Sequence, residues 1–213
     1  MRRYAGDVAA LARKDLRLEL RGRDTLPAMV IFVVAALVVF RFALPEGGSD
    51  RAAYGLLWIA ILFTALLGLA RAFVAEREQG LLDALVLTPA DRSAIWLGKV
   101  IATLAFLAAA EVVALPAFDL FFAPVSWETV AAVALADIGI CAVGALLAAM
   151  AVAGRARELL LPLLFLPLAI PLVVGGVGAA VTDTPGRYLA FLGLYDVVFA
   201  ILAWASFEYV VTE

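Results

Sequence analysis

Six apolar runs, each long enough to cross a lipid bilayer as a helix, set the limits on what this chain folds into. They cover residues 26–44, 54–74, 94–115, 129–153, 159–181 and 188–211. A spanning helix needs about 20 predominantly apolar residues. Inside the hydrocarbon no water satisfies a free N–H or C=O, so only helices and closed barrels cross it. These runs are continuously apolar and lack the alternation of a lipid-facing strand, which argues against a barrel. The connectors are short and leave no room for a second folded domain. Composition agrees: 66% of the 213 residues are hydrophobic and 16% are charged. A soluble domain has roughly 45–50% and about 25%. The expected fold is an all-α integral membrane protein with six transmembrane helices. The first run is read as a retained span, not a cleaved leader. It is longer than a typical leader core, follows a long charged arm and is not followed by Ala-x-Ala.

The residue inventory narrows the chemistry. There is no His and one Cys, Cys141. His-based catalysis, His-ligated metal or haem, intrachain disulfides and thiolate clusters are therefore excluded within this chain. A net charge of −3 gives no global attraction to nucleic acid. No Gly-x-x-x-x-Gly-Lys-Ser/Thr loop cradles nucleotide phosphates, and no Gly-x-Ser-x-Gly marks a nucleophile. The chain reads as a non-enzyme.

Local charge fixes an orientation. Thirteen of the 16 Lys and Arg lie in the N-terminal arm, in or beside the connector between runs two and three (Arg71, Arg77, Arg92 and Lys99), and in the connector between runs four and five. Positive charge stays on the cytoplasmic side, so these stretches and both termini are expected there. Residues 1–25 then form a cytoplasmic amphipathic helix at the membrane interface, and residues 26–213 the membrane domain. In the arm, Val8, Leu11, Leu16, Leu18 and Leu20 share one broad side, and Arg13, Lys14, Arg17 and Arg21 the other. The arm reads as a topology anchor or as an elbow helix docking on a partner. Asp24 or Thr25 is a candidate cap for the first span.

The connector between runs two and three is the most informative stretch. Gly80 and Pro89 bracket a short piece in which Leu81, Leu82, Leu85 and Val86 fall on one side, with Glu76 and Glu78 just ahead of it. Segment 75–93 reads either as a helix resting on lipid or as a coupling helix seated in a groove of a soluble motor. Asp91 or Ser93 is placed to cap the third span.

Three acidic residues lie well inside the later runs. Asp137 lies in the middle third of run four, where an ionised carboxylate costs ~2.5 kcal/mol or more. It reads as a packing hydrogen bond or as part of a substrate path. Glu111 and Asp196 are expected nearer the outer surface, with Arg41 as a counter-ion. Gly144-x-x-x-Ala148 permits close helix approach. Run five holds Pro162, Pro167 and Pro171, a static kink or a hinge, and Gly175, Gly176 and Gly178 are expected to loosen its outer end.

The run Phe73-x-x-Glu76-x-Glu78-x-Gly80-x-Leu82, continuing to Leu87-Thr-Pro-Ala-Asp-Arg and Leu97-Gly-Lys99, resembles the haem exporter protein B (CcmB) family of cytochrome c maturation. Leu161-Pro162, Leu166-Pro167-Leu-x-Ile-Pro171 and the arm Arg13-Lys-Asp-Leu-x-Leu-Glu-Leu-Arg21 extend the resemblance over nearly the whole chain. It implies an ABC-2 exporter-type permease of the bacterial inner membrane; six spans are half the usual exporter complement, so two copies per assembly are expected. It further implies a separate CcmA-like ATPase that meets Glu76, Glu78, Gly80, Leu81, Leu82, Leu85 and Val86. CcmC-like and CcmD-like membrane proteins are implied as partners, and a CcmE-like chaperone indirectly. Haem would then be a transported substrate and not a cofactor bound by this chain. Two alternatives stay open: an ABC-2 permease for another hydrophobic substrate, and a membrane scaffold coupling ATP hydrolysis to release of a haem-loaded chaperone.

Overall fold

The structure, a computed structural model, describes residues 2–22, 24–45, 49–72, 91–153 and 157–212, with side chains for 4–21, 24–45, 49–72, 91–151 and 161–210. The described residues form seven helices and no strand: α1 (Arg2–Gly22), α2 (Thr25–Ala43), α3 (Asp50–Arg71), α4 (Arg92–Phe121), α5 (Trp127–Ala153), α6 (Arg157–Val181) and α7 (Pro185–Thr212). Six of them, α2 to α7, are long and apolar enough to cross a membrane. The expected six-span all-α fold is the one observed.

The spans pack as two groups of three. α2, α3 and α4 contact one another, as do α5, α6 and α7, and α3 and α4 join the groups by packing on α5, α6 and α7. α5 is the most enclosed, with 67% of its apolar window buried, whereas α2 has only 17% buried and turns most of its surface outward. Small residues allow this. A Cβ on Gly144 of α5 would overlap Leu69 of α3, so that leucine fills the notch the glycine leaves.

Polar contacts identify the two ends of the bundle. At one end Tyr54 Oη donates to the Pro124 carbonyl at 2.9 Å, and Asp119 Oδ1 accepts from the Val125 N–H at 2.7 Å. At the other end Arg92 Nη1 lies 3.5 Å from Glu208 Oε1, and Tyr4 Oη lies 3.0 Å from Ser93 Oγ. The basic arm, the start of α4 and the end of α7 therefore share one end, the arrangement that the Lys and Arg distribution requires.

Three helix starts are capped, that of α5 by Ser126 Oγ, which accepts from the Thr129 N–H at 3.3 Å. Ser49 Oγ accepts from the Ala52 N–H at 3.3 Å. Asp91 Oδ1 accepts from both the N–H and the Oγ of Ser93, at 2.9 and 2.7 Å. Asp24 occupies the cap position of α2 but its side chain makes no capping bond. We expect Asp91→Ala to cost about 1 kcal/mol, since it frees two donors at once. Thermal unfolding of the purified protein measures this, and an unchanged midpoint would show that the cap contributes nothing.

Three sequence expectations change. The third span does not stop at Leu115: α4 runs through Pro116 to Phe121. A proline deletes one helical bond, but fully buried Phe118 packs its ring 5.2 Å from Tyr54 and 5.1 Å from Phe122, which holds the last turn in place. The glycines late in α6 do not loosen it. A Cβ on Gly175 would come within 2.7 Å of Leu192, one on Gly176 would overlap Trp58, and one on Gly178 would overlap Tyr188. These glycines seat large side chains of α3 and α7. In α1 the buried stripe is narrower than expected: Val8, Ala12 and Asp15 are buried, whereas Leu18 and Leu20 are exposed.

Candidate functional site

Three acidic residues converge at one depth inside the bundle. Glu111 on α4, Asp137 on α5 and Asp196 on α7 are all buried, each about 15 Å along its helix from the end that holds Tyr54 and Pro124. Glu111 and Asp196 are thus as deep as Asp137, not nearer a surface. The partner of Glu111 also differs from expectation. Arg41 is exposed and forms no ion pair with it, and the carboxyl of Glu111 instead meets that of Asp137 in a hydrogen bond. The outer oxygens, Glu111 Oε1 and Asp137 Oδ1, have no hydrogen-bond partner among the described residues. Asp196 reaches the α5 backbone at Gly139, where an added Cβ would lie 2.6 Å from Asp196 Oδ1. Only glycine at 139 lets α7 bring a carboxyl so close to Asp137. No group of three or more His, Cys, Asp or Glu among the described residues is arranged to hold a metal ion. The cluster is a polar layer joining α4, α5 and α7.

The prolines of α6 lie in one unbroken helix. Pro162 and Pro171 are half-buried and Pro167 is exposed. In the turn preceding Pro171, the Leu168 carbonyl accepts a 2.8 Å bond from Tyr195 Oη of α7. Pro171 frees the carbonyl of residue 167, one position earlier, so this bond ties α7 to α6 beside the gap and does not fill it.

Glu76, Glu78, Gly80, Leu81, Leu82, Leu85 and Val86, the expected coupling residues, lie outside the described residues. What the structure gives is the root of that connector. Ala72, at the end of α3, presents its carbonyl to Lys99 Nζ of α4. Lys99 Nζ also lies 3.1 Å from Asp15 Oδ2 of α1, and Lys14 Nζ lies 3.1 Å from Asp15 Oδ1. Lys99 and Asp15 are 4% and 7% exposed, so this ion pair is buried.

By sequence position Lys99 belongs with the charges of the connector, and Asp15 has no evident role. The signal was present. Asp15 continues the i, i+4, i+7 stripe of Val8 and Ala12, and Lys99 falls one turn inside an apolar run. A charge of each sign on two buried faces is a pair in waiting, but only the packing of α1 on α4 brings the two together.

Comparison with known proteins covers the whole fold just described. The family model described as CcmB protein matches residues 7–209. Heme exporter protein B of Paracoccus denitrificans is 34% identical over 209 residues, which is 93% of this chain and 94% of the relative. Heme exporter protein B of Rhodobacter capsulatus is 33% identical over 173 residues, 78% of this chain and 79% of the relative. That of Bradyrhizobium diazoefficiens is 30% identical over 182 residues, 81% of this chain and 80% of the relative. Six apolar spans and a match running from the first helix to the last agree, and this chain belongs to the CcmB family.

Proposed function

We propose that this chain is the membrane permease subunit of an ATP-driven assembly that delivers or exports haem for maturation of c-type cytochromes. The observation that carries the reading is the family match across residues 7–209, with relatives named heme exporter protein B at 30–34% identity. The inventory supports it. A chain without a phosphate loop draws on ATP only through a partner, so a separate CcmA-like ATPase is part of the proposal. Haem enters as substrate. With no His, this chain offers no imidazole ligand to iron, and haem ligation falls to the CcmC-like and CcmE-like partners.

In this reading the chain sits in the bacterial inner membrane with both termini in the cytoplasm, which the Lys and Arg distribution supports. Two copies, each supplying six spans, complete the permease, and a CcmD-like protein completes the membrane assembly. α1 acts as the elbow helix, segment 75–93 as the coupling helix, and the prolines at 162, 167 and 171 as the flexible part of α6. The ATPase grips Leu81, Leu82, Leu85 and Val86, with Glu76 and Glu78 meeting basic groups on its surface.

The test is co-purification with a tagged partner ATPase, using wild type and a chain carrying both Leu82→Asp and Leu85→Asp. We expect the double variant to insert normally and lose the ATPase. Normal binding by that variant would overturn the placement of the contact. A wild-type chain that never retains an ATPase would overturn the reading itself.

A further inference from the structure

We infer that Lys99 is a positioning residue: it ties α1 and the root of the α3–α4 connector to α4 as one unit, so that a push on the connector moves α4. This rests on the proposed drive by an ATPase acting on that connector. The argument starts from donors. An ammonium has three, and Lys99 gives one to the Asp15 carboxylate on α1 and one to the Ala72 carbonyl at the end of α3. The last carbonyls of a helix have no partner within it, and a cation there also meets the negative end of the helix dipole. Lys99 thus completes the end of α3 and the inner face of α1 from a single point on α4.

Two further observations favour a tether over ordinary packing. Gly98, the neighbour of Lys99, lets α1 come so near that a Cβ there would lie 2.9 Å from Leu11 Cβ. Lys99 and Asp15 themselves line a small cavity, together with Leu18, Glu19, Arg71 and Phe106. Side-chain packing does not fill that space, and the contacts of Lys99 bridge α1, α3 and α4 across its edge. A packed apolar pair would join α1 to α4 as well, but it would leave the Ala72 carbonyl without the donor that Lys99 supplies.

The experiment uses the full chain with its partner ATPase in lipid nanodiscs. Amide hydrogen exchange is followed in residues 8–16 and 68–72, alongside ATPase retention and ATP-dependent delivery of haem. Lys99→Met is expected to raise exchange in both segments, keep the ATPase bound and reduce ATP-dependent delivery about tenfold. The exchanged pair Asp15→Lys with Lys99→Asp remakes the ion pair, but a carboxylate has no proton to give the Ala72 carbonyl. It is expected to restore exchange in 8–16 only and to leave delivery impaired. Unchanged exchange in Lys99→Met, or full recovery of delivery by the exchanged pair, would overturn the inference. If Lys99→Met does not insert, Asp15→Asn is the test: faster exchange in 8–16 with weakened delivery supports the tether, and unaltered delivery refutes it. The exchange readout needs no ATPase, so failure of the tether is distinguishable from failure of the functional reading, which shows as a wild-type chain that does not bind an ATPase.

Discussion

Gly176→Ala is expected to destabilise the protein by about 3 kcal/mol, the upper part of the usual range for overpacking a core. Gly176 of α6 lies under the six-membered ring of Trp58 of α3, and an added Cβ would overlap three of its atoms. Trp58 has no room to retreat, because it is fully buried among Leu57, Ile61 and the rest of the core. Backbone movement would have to separate α3 from α6, one of the contacts joining the two halves of the bundle. Two of the three colliding ring atoms, Cζ2 and Cη2, lie beyond the reach of a phenylalanine ring. Adding Trp58→Phe to Gly176→Ala should therefore recover much of the loss, a coupling that a thermal double-mutant cycle resolves. Gly193→Ala is the control, since nothing lies within 4 Å of its added Cβ. A Gly176→Ala protein that melts with wild type would mean that the α3–α6 contact is looser than described.

The second large effect concerns the acidic layer. Asp137→Leu is expected to cost about 2 kcal/mol or more, because it leaves the Glu111 carboxyl facing an apolar interior without its partner. Glu111→Leu should cost a similar amount for the mirror-image reason. The double replacement should cost less than the two single losses combined, since removing both polar groups also removes the desolvation each inflicts on the other. Thermal unfolding in detergent supplies the four midpoints. Strict additivity would show that the two carboxyls do not interact, and would reduce the layer to three independent acids.

The sequence alone was a sufficient guide to the spans. Five of the six begin and end within four residues of expectation, because an apolar run of membrane length has one stable solution in lipid. The exception was the far end of α4, where Pro116 reads locally as a stop and the Phe118–Tyr54 contact overrides it. The family was legible as well, because its motifs are contiguous: the proline pattern at 162–171 and the acidic run at 73–82 need no tertiary information.

The candidate site was legible only as a list of residues. Glu111, Asp137 and Asp196 stand out as acids in apolar runs, yet their common depth depends on how α4, α5 and α7 are offset along the bundle. The pairing of Glu111 with Asp137 instead of Arg41 depends on which faces turn inward. Asp15 and Lys99 are 84 positions apart and look like solvated charges until α1 is laid on α4. The late glycines of α6 show the same division. Their number suggests looseness, and their neighbours Leu192, Trp58 and Tyr188 make them contact points. Hydropathy acts on each segment separately, so the chain determines by itself that six helices cross the bilayer. Which side chains meet is a property of pairs of helices, set by their rotation and offset, and only the packed bundle decides it.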